Sequence, residues 1–176
     1  LVGYYHSIGY DTFPKDFSIV KSCMTRAMAG GCYLAYYLSA KVIADQKNAL
    51  LFSVAENYIG KALEYKYPRI YELLGTCHLH GLLGKEVDHI KAFEYFNLCN
   101  ERYASPTCKM SLVDLYDKGP TEIRDTEKIE LLLQEAALLG SPTAKKRLEE
   151  IRAKSSHNPT FQEYIRMGNY LSSESL

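Results

Sequence analysis

Ser105-Pro106-Thr107 returns at Ser141-Pro142-Thr143, and the 36-residue interval constrains what this chain can fold into more than any single residue does. Placing Cys108 opposite Ala144 brings Ile70 and Cys32 into the same register, at intervals of 38, 38 and 36 residues. Four residues on stand Tyr36, Leu74, Leu112 and Leu148, and eleven residues on the middle two copies reach Gly81 and Gly119. A second register point falls at Ala55, Ala92 and Ile129, followed seven residues on by Ala62, Cys99 and Ala136. Self-similarity with a period between about 20 and 50 residues implies a stacked array of one supersecondary unit.

Each unit carries the signals of two helices. Ser105 and Ser141 are N-cap residues whose oxygens can accept from a free backbone N–H, and Pro106 and Pro142 then occupy the first helical position, where no N–H is required. Gly81 and Gly119 are expected to end the first helix in the left-handed conformation of a C-cap. Asp88 and Asp125 then cap the second helix, on which Ala92, Tyr95, Phe96 and Cys99 share one face, as do Ile129, Leu132, Leu133 and Ala136. A half-unit precedes these: Val2-Gly3, His6, Gly9 and Cys23 match Leu74-Gly75, His78, Gly81 and Cys99. The sequence is therefore expected to start inside a repeat, with further residues upstream.

These residues resemble the Sel1-like repeat family, a TPR-like group. Its pattern of Leu-Gly, a later glycine, aspartate with Lys-Ala three residues on, and a closing Ala-Ala near a glycine is met by Leu74, Gly75, Gly81, Asp88, Lys91 and Ala92. In the next copy Leu112, Tyr116, Gly119, Asp125, Lys128, Ala136, Ala137 and Gly140 match. The similarity is specific over residues 70–150 and weaker over 1–69. Val113 stands for the Leu-Gly glycine, His78 for the tyrosine, and the unit 32–69 lacks a mid-unit glycine.

The resemblance implies an all-α fold, a right-handed α/α solenoid of helical hairpins in which neighbours stack into one core. The expected layout is a partial unit over 1–31, units 32–69, 70–107 and 108–143, and a terminal helix over 144–154. A linker and capping helix follow over 155–176, the helix at about 160–171, where Thr160 and Glu163 have capping-box spacing. The alternative for that segment is docking on a partner.

Cys23 and Cys32 are nine positions apart, as are Cys99 and Cys108, each pair spanning an inter-repeat turn. Ala62 with Ile70, and Ala136 with Ala144, hold the same places, so the leading expectation is that all four cysteines are reduced packing residues of small buried volume, with two disulfides as the alternative. The cysteine-rich secreted bacterial branch of the family, more weakly similar, uses disulfides of this kind with a spacing one residue shorter. A cytoplasmic setting is favoured; a periplasmic or secreted one follows if the pairs are oxidised.

No metal or cofactor is expected. His78 and His80 point about 200° apart on a helix, and no CxxC or HExxH occurs. No residue is assigned a catalytic role, because no GxSxG, P-loop or GxGxxG is present. The weak β-lactam-related activity associated with the cysteine-rich relatives is not carried over. Twenty-one basic and 21 acidic residues leave no global field for nucleic acid, and no apolar run reaches the length of a membrane span.

What remains is protein binding. Fifteen tyrosines are an excess, and first-helix positions two, five, six and nine residues after each unit start are expected to point away from the core. They form a concave strip of Leu34, Tyr37 and Leu38, then Glu72, Thr76 and Leu79, then Met110, Asp114 and Asp117, with Tyr33 and Tyr71 at its margin. The strip would hold a protein partner, as an adaptor or scaffold does. A dedicated inhibitor or immunity protein is the alternative, and a cysteine-dependent or β-lactam-related enzyme a distant one.

Overall fold

The computed structural model describes residue 5 and residues 16–156. Within them the chain forms α1 (Phe17–Ala29), α2 (Tyr33–Gln46), a 3₁₀ turn (Ala49–Leu51), α3 (Phe52–Glu64), α4 (Ile70–His80), α5 (His89–Arg102), α6 (Pro106–Lys118), α7 (Thr126–Leu138) and α8 (Pro142–Ser156). The described residues hold no strand, and α2 with α3, α4 with α5, and α6 with α7 pack as hairpins. This is an α/α solenoid. The half-unit markers Val2-Gly3, His6 and Gly9, and the capping helix at 160–171, lie outside the described residues.

The repeated capping residues do what their chemistry suggests. Ser105 accepts from the Cys108 amide at 3.4 Å and Ser141 from the Ala144 amide at 3.2 Å. Asp88 accepts from the Lys91 amide at 2.9 Å and Asp125 from the Glu127 amide at 3.2 Å. The helix starts therefore recur because the same orphan N–H groups are satisfied in the same way.

One helix end departs from expectation. Gly81 is left-handed at φ 64°, but Gly119 is extended at φ −69° and ψ −176°. Glycine is required at 119 for space instead: a β-carbon there would overlap the Leu115 carbonyl oxygen. In the unit without a mid-unit glycine, α2 runs on to Gln46 and Lys47 takes the left-handed position at φ 54°. The early unit thus has a longer first helix.

The core fills in two sections. Val20, Tyr37, Ile43, Ile59, Ile70 and Cys77 belong to the first, and Phe96, Cys108, Leu112, Val113, Leu133 and Ala144 to the second. Tyr71 and the α4–α5 hairpin join them. Gly75 faces Phe96 so closely that an added β-carbon would sit 2.7 Å from the ring. The equivalent positions in the other units are Tyr37 with Ile59 and Val113 with Leu133, all buried. The glycine is absent where the residue at the Phe96 position is smaller than phenylalanine.

A tyrosine and arginine surface at the inter-repeat turns

The position five residues into each unit faces inward: Gly75 meets Phe96, and Tyr37 and Val113 are buried. Tyr37 is 2% exposed and Leu38 is buried beside it, so neither lies on an outward strip. The expectation for Tyr37 fails because a first helix packs on two sides: against its own second helix and against the next unit.

Other strip residues divide by what holds them. Tyr33 is 48% exposed, while Leu34, Tyr71, Thr76, Leu79 and Met110 are half-buried. Leu79, Met110 and Tyr71 lean on the second core section, and Leu34 on the first. The Thr76 hydroxyl donates to the Glu72 carbonyl at 2.8 Å. Glu72 is engaged as well, accepting from Ser105 Oγ at 3.2 Å with Arg69 Nε at 3.8 Å. Asp114 and Asp117 are exposed, yet Arg147 from α8 binds the first and reaches the second at 3.5 Å. The acidic end of the strip is largely neutralised from within.

Aromatic side chains converge instead at the turns between units. Tyr33 stacks on Tyr65 with centroids 5.9 Å apart, and Tyr36 also stacks on Tyr65 at 6.2 Å. Tyr67 meets Tyr33 at 5.9 Å and Tyr37 at 5.2 Å. Tyr58 extends the row at 6.0 Å from Tyr36. Arg69 lies over the Tyr37 ring at 5.4 Å, and Arg102 over Tyr71 at 5.3 Å. Tyr65 and Tyr103 are 53% and 40% exposed. Burial raises the Tyr67 phenol above its usual range, against the lowering effect of Arg69. Tyr65, Tyr67, Arg69 and Tyr103 were not singled out from sequence; the signal was the run Tyr65-Lys66-Tyr67-Pro68-Arg69 in a turn between units.

The cysteines part company. Cys99 and Cys108 are joined, with sulfurs 2.02 Å and α-carbons 6.3 Å apart, and both are fully buried. Cys23 and Cys32 are free, the latter exposed. Size alone therefore does not describe Cys108, although Ala144 is equally buried in the equivalent place. Cys77 is a free thiol that burial pushes up to about 11. His78 stacks on Tyr95 at 5.5 Å, and burial, with Lys85 and Lys91 nearby, lowers its pKa.

One Ser-x-x-Lys spacing occurs, Ser18-Ile19-Val20-Lys21, and there the Ser18 hydroxyl donates to the capping Asp16 at 2.7 Å. No helix among the described residues is long and apolar enough to cross a membrane.

No family model matches the sequence, and no curated protein matches it. Two solved structures share the fold. A Sel1 repeat protein from Oxalobacter formigenes matches with a TM-score of 0.68 and 20% identity, over 98% of this chain and 71% of that one. A protective antigen present in uropathogenic Escherichia coli strains, displaying an SLR fold, matches with a TM-score of 0.62 and 21% identity. That match covers 87% of this chain and 32% of the antigen, so the chain spans about a third of its length. The fold is that of Sel1-like repeats; neither description mentions the cysteine-rich branch.

Proposed function

We propose that this Sel1-like repeat solenoid is a protein-interaction module, an adaptor or scaffold that holds a partner against the outward faces of its first helices. Tyr33, Tyr65 and Tyr103 anchor the partner. Leu34, Tyr71, Thr76, Leu79 and Met110 continue the surface, and Glu72, Asp114 and Asp117 border it. The observation that carries this reading is the row of stacked, half-exposed tyrosines backed by Arg69. Tyrosine and arginine dominate binding hot spots because each offers a large rigid face and a hydrogen-bonding edge. Stacking in advance of binding also lowers the ordering cost of association.

Catalysis through Cys77 is disfavoured by its burial. Cys77, buried and held protonated, lacks thiolate character.

Affinity capture from the source cell, followed by mass spectrometry, tests the reading with the combined Tyr33→Ala, Tyr65→Ala and Tyr103→Ala variant. A specific protein should be lost from this variant and retained by Leu138→Ala, which removes a side chain 88% exposed on α7. Equal recovery by both variants would remove the proposed anchor. An inhibitor would differ from an adaptor in abolishing an activity of the captured protein at one equivalent.

A further inference from the structure

We propose that, when the Cys99–Cys108 bond is reduced, Cys99, Cys108 and Glu72 form a binding site for a thiophilic divalent cation of the zinc type. The three residues come from three helices. Cys99 lies in the last turn of α5, Cys108 is the third residue of α6, and Glu72 the third of α4. Their ligand atoms all lie within 4.8 Å of one another, the one group of three with that property among the described residues.

The surroundings prepare the carboxylate for that role. Ser105 Oγ donates to Glu72 Oε2 at 3.2 Å and accepts from the Cys108 amide, so one hydroxyl fixes two of the three ligands. Outer hydrogen bonds of this sort orient metal ligands. The amino end of α6 also favours negative charge at Cys108. Charge closes too: Glu72 is balanced by Arg69, and two thiolates balance a divalent ion. A buried charge cluster without such balance would be costly.

Once the bond is reduced, metal binding asks little further movement of the sulfurs. Reduction separates the sulfurs to non-bonded contact, and two zinc–sulfur bonds of about 2.3 Å at a tetrahedral angle hold sulfurs roughly 3.8 Å apart. Three protein ligands leave the fourth position to water. The chemistry balances as follows: a phosphine gives two electrons to the S–S bond and takes oxygen from water, leaving two thiols and a phosphine oxide. The cation then replaces the two thiol protons, and no further electron moves. The α5–α6 junction is thereby cross-linked covalently when oxidised and through metal when reduced.

Cobalt titration of the full chain carrying Cys23→Ser, Cys32→Ser and Cys77→Ala tests this, alongside the same titration of the wild-type chain. After phosphine reduction, one equivalent should produce a sulfur-to-cobalt charge-transfer band that zinc displaces; the oxidised chain should give none. Glu72→Gln should weaken binding at least tenfold, and Cys99→Ala with Cys108→Ala should abolish the band, with helical circular dichroism showing both variants folded. Absence of the band in both reduced chains overturns the proposal. A band of equal strength in the double alanine variant overturns it as well, and unchanged affinity in Glu72→Gln removes Glu72 from the site.

Discussion

Gly75 shows how much one hydrogen atom decides. A β-carbon there would meet three atoms of the Phe96 ring at 2.7 to 2.9 Å, and Phe96 is itself buried in a packed core. Alanine at 75 gains about 1 kcal/mol of helix propensity but overpacks the interface by about 1–3 kcal/mol. Gly75→Ala should therefore destabilise, measured as a fall in the urea midpoint, and Gly75→Ala with Phe96→Leu should recover much of the loss. The third unit already carries such an arrangement, with Val113 and Leu133. Tyr37 teaches the complementary lesson. Its place in the repeat was legible, but its burial was not, because its ring is covered by Tyr67 and Arg69 from the following turn, whose placement depends on tertiary packing.

Lys109 is the other residue whose environment the pattern conceals. It is 7% exposed, and its ammonium donates to Asn100 at 2.7 Å and to Glu135. A buried ammonium that loses its carboxylate partner is strongly penalised. Glu135→Leu should thus cost about 2–4 kcal/mol in urea unfolding, more than Lys109→Met, which leaves behind the half-exposed Glu135 carboxylate and the neutral Asn100 amide.

Among the helices, the starts were more legible than the ends. Ser-Pro and Asp caps act within three residues of their targets, so the sequence interval itself contains the interaction. Ends depend on where the following turn must go, which is why Gly119 and Lys47 adopt conformations the repeat pattern does not announce. The two aspartate caps also make the second helices sensitive to acid. The Lys91 amide and ammonium hold Asp88 below the usual carboxylate range, and Lys128 does the same for Asp125. A depressed folded-state pKa contributes stability above the ordinary carboxylate range, and that stability is lost as pH falls through the depressed values. Asp88→Asn with Asp125→Asn, which keeps a capping oxygen, should flatten the loss of stability below about pH 4. Thermal unfolding across that range measures it. An unchanged slope would place acid sensitivity elsewhere.

As a whole molecule the chain is a row of units in which each interface contributes stability to its neighbours. The Cys99–Cys108 bond closes a loop of nine residues' separation at one such interface. Reducing it in the presence of a chelator should lower unfolding free energy by about 2–3 kcal/mol, read by urea titration. Repeat length and caps were enough to reach the stacked architecture, since a hairpin with an uncovered apolar face has few other solutions. The proposed binding surface was less accessible. Tyr65, Tyr67 and Tyr103 occupy turns, where helical periodicity offers no guide to direction, and the carboxylates of the expected strip are drawn into contacts with Arg69 and Arg147 from neighbouring units and with Ser105 at the far end of the same one.

Amide hydrogen exchange of the chain, alone and bound to its captured partner, tests the proposed surface most directly. Protection is expected around residues 33–36, 65–71 and 103–105, at the tyrosine row and its neighbouring turns. Protection confined to the outer faces of α5 and α7, with those turns unchanged, would contradict it.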